Sequence, residues 1–418
     1  MKQTFQLGAL SAANIALGLA FQWIVFTHLG PGVETDALFA GMTIPLLVLS
    51  VVNGSLTHVL VPLLAGNNQD RIHRDTWSFL VLISVLFTVL STILYVSSPW
   101  WVPLTVPGFS QEGKALTIHL SQIQLLAMVF TGTTSVQSAA YHARQKFIWA
   151  ETVPFLANLL TLLLLVLALP RYGVSAAAWL SVFRMATQTI LLSPCLYGKI
   201  NPDLKSQSIK LAWTRIKPLM LGTAFYKTDT LVDRYLLSSV SSGGLSLYYL
   251  AQQIYGAASQ IINRALATPL VPTLSNLHKK GDSSGFKKLY HRRMIQVGLL
   301  SILGILTFVF FGRLILSPLV EYGKLSFANL ELLWLIMLLM VGQFAIGNLG
   351  MIMTSMLYSV GDTRLPTLSG AISYIIGTFI KIVLFNLLGL PGLALGVTTY
   401  YLVSLIIMSF KMAQMKYA

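Results

Sequence analysis

The stretch YKTDTLVDRYLLSS, residues 226–239, places Lys227, Asp229, Asp233 and Arg234 within eight positions of an apolar run. Charge inside such a run is costly and is kept where it faces a cavity or a partner. Asp229 and Asp233, four apart, share one helix face, and Lys227 and Arg234, seven apart, share another. At roughly 100° per residue the two pairs diverge by well over a right angle, so they do not all enter one seam. Asp233 and Arg234, about one turn from a helix end, read as a fold-locking pair within reach of water. Lys227 and Asp229 read as cavity lining deeper in. Arg184, Arg264 and Lys381 also fall inside apolar runs, giving five buried-depth cations against two acids. That excess suits an anionic substrate such as a phosphate or diphosphate, which arginine grips bidentately and lysine as a point charge. Gln252 and Gln253, with Gln260 and Asn263, add neutral donors, or serve as interhelical glue. Gln22, Asn53 and His58 are weaker polar hints of the same kind.

The candidates for substrate binding are thus Lys227, Arg264, Arg184, Lys381, Gln252 and Gln253, and those for ion coupling or gating include Asp229, Asp233 and Arg234. No metal-ligand cluster or nucleophile motif appears, so the sequence calls for no cofactor and no enzyme. The one cysteine, Cys195, excludes an internal disulfide framework.

The elements that must position these residues are membrane helices. The chain has 418 residues, of which 55% are hydrophobic and only 10% charged. Runs of about 20 apolar residues recur, the length that spans a bilayer. Helices are expected near 5–28, 37–65, 77–98, 116–141, 149–169, 173–196, 213–237, 244–274, 294–318, 327–358, 366–388 and 391–411. The first is read as an uncleaved helix, since its apolar run before Ser11 is too short for a signal core. Nineteen of the lysines and arginines fall at the termini or in loops after even-numbered helices, against four, Lys114, Arg171, Arg313 and Lys324, on the other side. That asymmetry puts both termini in the cytoplasm. It also accounts for most of the net charge of +15. Charge spread over many short loops argues against a nucleic-acid partner. Trp100 and Trp101 mark the outer interface, and Trp77, Trp149 and Trp213 the inner one.

The chain repeats itself. VLVPLLAGNNQDRIHRD (59–75) echoes PLVPTLSNLHKKGDSSG (269–285), and residues 140–160 echo 357–376. The expected organisation is an N-terminal six-helix half over 1–200, a cytoplasmic linker over 201–212 and a C-terminal half over 213–418. Six is even, so the halves share one orientation, as parallel repeats about an axis along the membrane normal. The fold class is therefore an all-α integral membrane protein of about twelve transmembrane helices in two parallel six-helix repeats. Repeats of this kind point to alternating access.

Several stretches resemble the MurJ (MviN) lipid II flippases of the multidrug/oligosaccharidyl-lipid/polysaccharide exporter superfamily. GVETDALFAGMTIPLLVLSVVNGSLTHVLVPLLAG (32–66) is similar to the family's second helix, and PGFSQEGKALTIHLSQIQLL (107–126) to its entry into the fourth. Residues 230–275 resemble its helices 7 and 8, and LYSVGDTRLPT (357–367) with GLPGLALG (389–396) its closing helices. The resemblance implies a V-shaped bundle with a cationic central cavity. It also implies alternating access that carries a polyprenyl-diphosphate saccharide between leaflets of the bacterial inner membrane. Asp36, in the matching Thr-Asp-Ala triplet, joins Asp229, Asp233 and Arg234 as a coupling or gating candidate. The family's signature arginines are replaced: Ile15 and Phe21 stand at the two in helix 1, with Gln22 at the adjoining aspartate. Thr43 stands at the one in helix 2, and Gln252-Gln253 at an Asp-Arg pair in helix 8. The chain also carries twelve expected helices where that family has fourteen.

The expected function is that of a flippase for a lipid-linked saccharide, a cell-wall or surface polysaccharide precursor. Its partners would be that lipid, the surrounding membrane lipids and envelope-synthesis enzymes. Two alternatives stay open: a small-molecule exporter on the same fold, and a non-transporting scaffold for envelope synthesis.

Overall fold

A bilayer offers no water to unpaired backbone groups, so a spanning chain must satisfy its hydrogen bonds within helices or a closed barrel. This chain takes the first course. The computed structural model describes residues 2–64, 69–198, 200–362 and 364–414, and among these no strand occurs. Nine helical spans among the described residues are long and apolar enough to cross a membrane. The segments over 207–237 and 244–279, which hold the expected helices 7 and 8, are not among the nine. Their helices are shorter or more polar. Lys199 and Lys416, and the side chains of Asn53 and His58, lie outside the described residues.

The chain forms two compact units, Met1–Ser239 and Val240–Ala418. In the first unit α1 (Lys2–Leu29) precedes α2 (Val33–Gly41), α3 (Thr43–Leu64) and α4 (Gln69–Thr105). Then come α5 (Gln111–Ala143), α6 (Phe147–Leu192), a 3-10 turn (Ser193–Leu196), α7 (Gln207–Lys227) and α8 (Asp229–Leu237). α5 sits at the centre, packed by α2, α3, α4 and α6, while α1 lies along α6. Its start is fixed by Ser110, whose hydroxyl accepts the Gly113 amide at 3.1 Å. Leu56, Leu60, Leu64, Phe79, Phe87, Leu125 and Met128 form the apolar core between α3, α4 and α5. α6 contains both expected helices 5 and 6, separated at Gly173, whose φ of 56° and ψ of −144° are not helical. A side chain there would be strained, so glycine makes the turn. Asn158 donates to Asn14 at 3.2 Å, and Asn14 to the Glu151 carbonyl at 3.2 Å, tying α6 to α1 with polar glue.

The stretch expected as a linker, 201–212, is docked rather than loose. The Asp203 amide donates to Ser78 Oγ at 2.7 Å, and Ser208 Oγ donates to the buried Asp75 carboxylate at 2.7 Å. α7 begins inside that stretch and packs on α3. Its helix is not continuous to 237 as expected. It stops at Lys227 and restarts at Asp229.

The second unit runs α9 (Gly244–Ile262), a π turn (Asn263–Ala267), α10 (Leu270–Lys279), α11 (Ser283–Leu316) and α12 (Pro318–Glu321). It closes with α13 (Phe327–Leu339), α14 (Val341–Ser359), α15 (Arg364–Leu388) and α16 (Leu390–Gln414). The helix expected over 244–274 is therefore interrupted, and Thr268 carries the break by donating to the Asn263 carbonyl. α11 starts before its expected position because Asp282 caps it, accepting the Gly285 amide at 2.8 Å. α15 and α16 form an intimate hairpin. At the rim of the unit, Arg313 makes a bidentate pair with Glu331 at 2.8 and 2.9 Å and lies 3.9 Å over the Trp334 ring.

Candidate anion-binding site

Arg184 stands ten residues past the start of the second arm of α6, which begins at Val174. At about 1.5 Å per residue that is about 15 Å along the helix, half the roughly 30 Å of a hydrocarbon core. It lines a cavity of about 330 Å³ within the first unit. One wall is mostly apolar, made by Met42 and, from the start of α3, Pro45, Leu46, Leu49 and Ser50. The other wall carries Gln124 and Thr131 from α5, with Ser181 and Met185 beside Arg184 on α6. Among the described lining residues Arg184 is the one charged group. The hydroxyls are turned inward: Ser181 donates to the Ala177 carbonyl at 3.0 Å and Thr131 to the Ala127 carbonyl at 2.8 Å. Gln124 donates to the Leu38 carbonyl at 3.3 Å, bracing α5 on α2. The guanidinium carbon of Arg184 lies 5.8 Å from the centroid of the buried Phe21 ring of α1. Such a contact holds the planar fork in place. The cavity can therefore present one oriented cation to an anion, between a mostly apolar wall and a wall of neutral polar side chains.

Arg234 meets the same end of α3. Its Nε donates to Thr43 Oγ1 at 3.2 Å, and both side chains are buried. Asp233 is equally buried, at 3% exposure, so neither residue reaches water from α8 as the sequence suggested. α8 packs on α3, and that cover keeps them dry. Asp36 is buried at 4% exposure in α2, next to Thr35, whose hydroxyl donates to the Gly30 and Gly32 carbonyls. Asp36, Asp229, Asp233 and Arg234 all have partners within the protein. Asp229 is half-buried in the first turn of α8, where a helix favours negative charge. Lys227, the last residue of α7, is exposed. The one-residue interruption at Thr228 sets these two apart from a continuous helix face.

The remaining candidates belong to the second unit. Lys381 is 1% exposed. Its stem packs against Gly396 of α16, where a Cβ would stand 2.9 Å from Lys381 Cγ, and its Nζ lies 5.5 Å from the Tyr400 ring centroid. It is thus built into the α15–α16 hairpin, and it has partners there. Arg264 is exposed within the π turn, and Gln252 and Gln253 are half-buried on α9.

Sequence reasoning singled out Arg184 but not Gln124, Thr131 or Ser181. Their spacing carried a signal, because Ser181, Arg184, Met185 and Gln188 recur at helical intervals on one face, as do Gln124, Ala127 and Thr131. Such a stripe marks a shared face without saying that it borders a cavity.

Residues 25–417 match the family model described as lipid II flippase MurJ. The chain belongs to this family. The lipid II flippase MurJ of Burkholderia cenocepacia is 23% identical over 325 residues, covering 73% of this chain and 63% of that protein. This chain thus spans less than two thirds of that relative's length. A probable lipid II flippase MurJ of Bdellovibrio bacteriovorus is 22% identical over 412 residues, covering 95% of this chain and 79% of its own. Among solved structures, a lipid II flippase MurJ in an inward closed conformation superposes with a TM-score of 0.83 at 16% identity, covering 97% of this chain and 87% of that one. An inward-facing multidrug resistance MATE family transporter of the MOP superfamily gives 0.78 at 14% identity, covering 97% and 95%. At these identities the superpositions establish the fold, an all-α membrane fold shared by MurJ and MATE proteins. This MurJ-family chain is accordingly a multi-pass membrane protein.

Proposed function

We propose that the chain is an alternating-access flippase that moves a polyprenyl-diphosphate-linked saccharide from the inner to the outer leaflet of the bacterial inner membrane, with both termini cytoplasmic. The family name supports a lipid-linked precursor, since MurJ relatives are described as lipid II flippases. The observation that carries the reading for this chain is Arg184 in its cavity. An oriented guanidinium at mid-helix depth is the chemistry that holds a diphosphate while a saccharide crosses. Phe21 stands where the resemblance expected a helix 1 arginine, and Arg184 comes to that ring from α6. A cation on a different helix then takes over the work of the missing one. Asp36, Asp229, Asp233 and Arg234 are proposed to couple or gate. Lys227 and Arg264, both exposed, and Gln252 and Gln253 are proposed to meet the substrate on its way in or out. Lys381 is proposed to join them only when the α15–α16 hairpin opens. The activity is transport, with no chemical change in the substrate.

A proteoliposome assay with a fluorescent polyprenyl-diphosphate sugar tests this reading. The expected result is flipping well above protein-free vesicles. Flipping absent for every diphosphate lipid tried, from folded protein, would overturn it. Uptake of organic cations would then favour the exporter, and its absence the scaffold. The one charged group among the described lining residues is positive, which disfavours the exporter.

A further inference from the structure

A second cavity, of about 510 Å³, opens at the basic end of the first unit, where α4 begins, α5 ends and the 3-10 turn leaves α6. Its cations are Arg74 and Arg144, seventy positions apart in sequence, and His73 adds a ring nitrogen. Arg144 is held in place, with Nη1 donating to the Cys195 carbonyl at 3.2 Å. The next residue, Gln145, has φ of 58°, a left-handed conformation that a non-glycine residue rarely adopts. The turn is nevertheless closed by the Lys146 amide donating to the Tyr141 carbonyl at 2.9 Å. The opposite wall is equally specific. Gly198 has φ of 131°, and a Cβ there would stand 3.1 Å from Nε2 of His73. Arg144 Nε and His73 Nε2 are both buried and make no hydrogen bond to the described protein.

We propose that this pocket binds the phosphodiester head group of an anionic membrane lipid. Asp70 also lines it, so among the described lining residues the guanidinium and carboxylate charges sum to one positive charge. One net charge suits a monoanionic phosphodiester better than a phosphate dianion. The volume falls within the roughly 300–1,000 Å³ of small-molecule pockets and leaves space beyond the phosphate for the rest of a head group. The rim favours a lipid over a soluble anion. Tyr197 lines the pocket at 81% exposure, and Ile200, beside the lining residue Asn201, is 67% exposed. Apolar side chains this exposed, next to basic ones at a helix end, lie naturally at the membrane interface. Basic pockets at the cytoplasmic ends of membrane helices are a recurring way to hold anionic head groups. The site is separate from the Arg184 cavity and does not depend on the transport reading.

The test is native mass spectrometry of the delipidated full-length protein titrated with phosphatidylglycerol, with phosphatidylcholine, and with inorganic phosphate as competitor. The expected result is retention of phosphatidylglycerol at least about tenfold above phosphatidylcholine, as charge-assisted contacts give. Arg74 is exposed on α4, so Arg74→Gln spares the fold and should lower that retention by about tenfold. Asp70→Asn should raise it, an outcome that misfolding does not produce. Equal retention of the two lipids, or no change in either variant, overturns the proposal. Displacement of phosphatidylglycerol by millimolar inorganic phosphate overturns it in favour of a free-phosphate site.

Discussion

Replacing Arg184 separates its charge from its fork. From a half-buried position in a partly apolar cavity, a bidentate arginine gives a diphosphate two charge-assisted hydrogen bonds, each worth about 1.5–3 kcal/mol before any loss to residual solvent. The structure places Arg184 half-buried rather than sealed, so the lower part of the range applies and Arg184→Met should cost about 3 kcal/mol. That is roughly a 150-fold loss of affinity. Arg184→Lys keeps the charge but loses the fork and its seat over Phe21, 5.8 Å away, and should cost about 1.4 kcal/mol, roughly tenfold. Phe21→Leu removes only the ring and should cost about 0.5–1 kcal/mol. Isothermal titration with a short-chain isoprenyl diphosphate, and with the matching monophosphate, reads all three. The expected order of affinity is wild type, Phe21→Leu, Arg184→Lys, Arg184→Met, with the spread smaller for the monophosphate. Affinities within twofold across folded variants would refute the assignment. So would lysine binding no better than methionine.

Three further outcomes follow from the packing. Thr43→Val deletes the acceptor that Arg234 Nε reaches at 3.2 Å in a buried site, and should destabilise the first unit by about 1–3 kcal/mol, read as a lowered Tm. Lys381→Met keeps the stem against Gly396 but takes the buried ammonium away from its partners in the hairpin, so it should lower Tm while leaving diphosphate affinity within twofold, read by the same titration. Asp75→Ala removes the acceptor of Ser208, at 2.7 Å, and should speed amide exchange over 201–212 while the cores of α5 and α6 stay protected.

Much of the architecture was legible because lipid simplifies the code. Apolar runs of bilayer length gave the helices, and over the described residues the expected spans are helical apart from short breaks at Met42, Thr228, Thr268–Pro269, Ser317 and Met340. The interruptions were harder to read. Thr228 and the break at Met340 lack the proline that would announce them, whereas the π turn at Asn263–Ala267 runs into Pro269, a kink candidate in the sequence. Intramembrane charges were visible as types but not as places. Lys381 resembles any other deep cation in sequence. Only its position opposite Gly396, fifteen residues on, reveals a hairpin seat rather than an open wall. Asp233 and Arg234 looked close enough to a helix end to find water, but α3 covers them, and a neighbour nearly two hundred residues away leaves no local trace. Arg184 stood out in the sequence as a deep cation, and the structure places it half-buried. Its cavity depends on α3 and α5, whose relation to α6 is tertiary.

The central claim is that Arg184 holds the diphosphate during crossing. The most direct measurement is the rate at which wild-type and Arg184→Gln proteoliposomes, matched for folded protein, flip a fluorescent polyprenyl-diphosphate sugar. The account predicts clear flipping by the wild type and a drop of at least about tenfold in the variant. Equal rates in the two would contradict it.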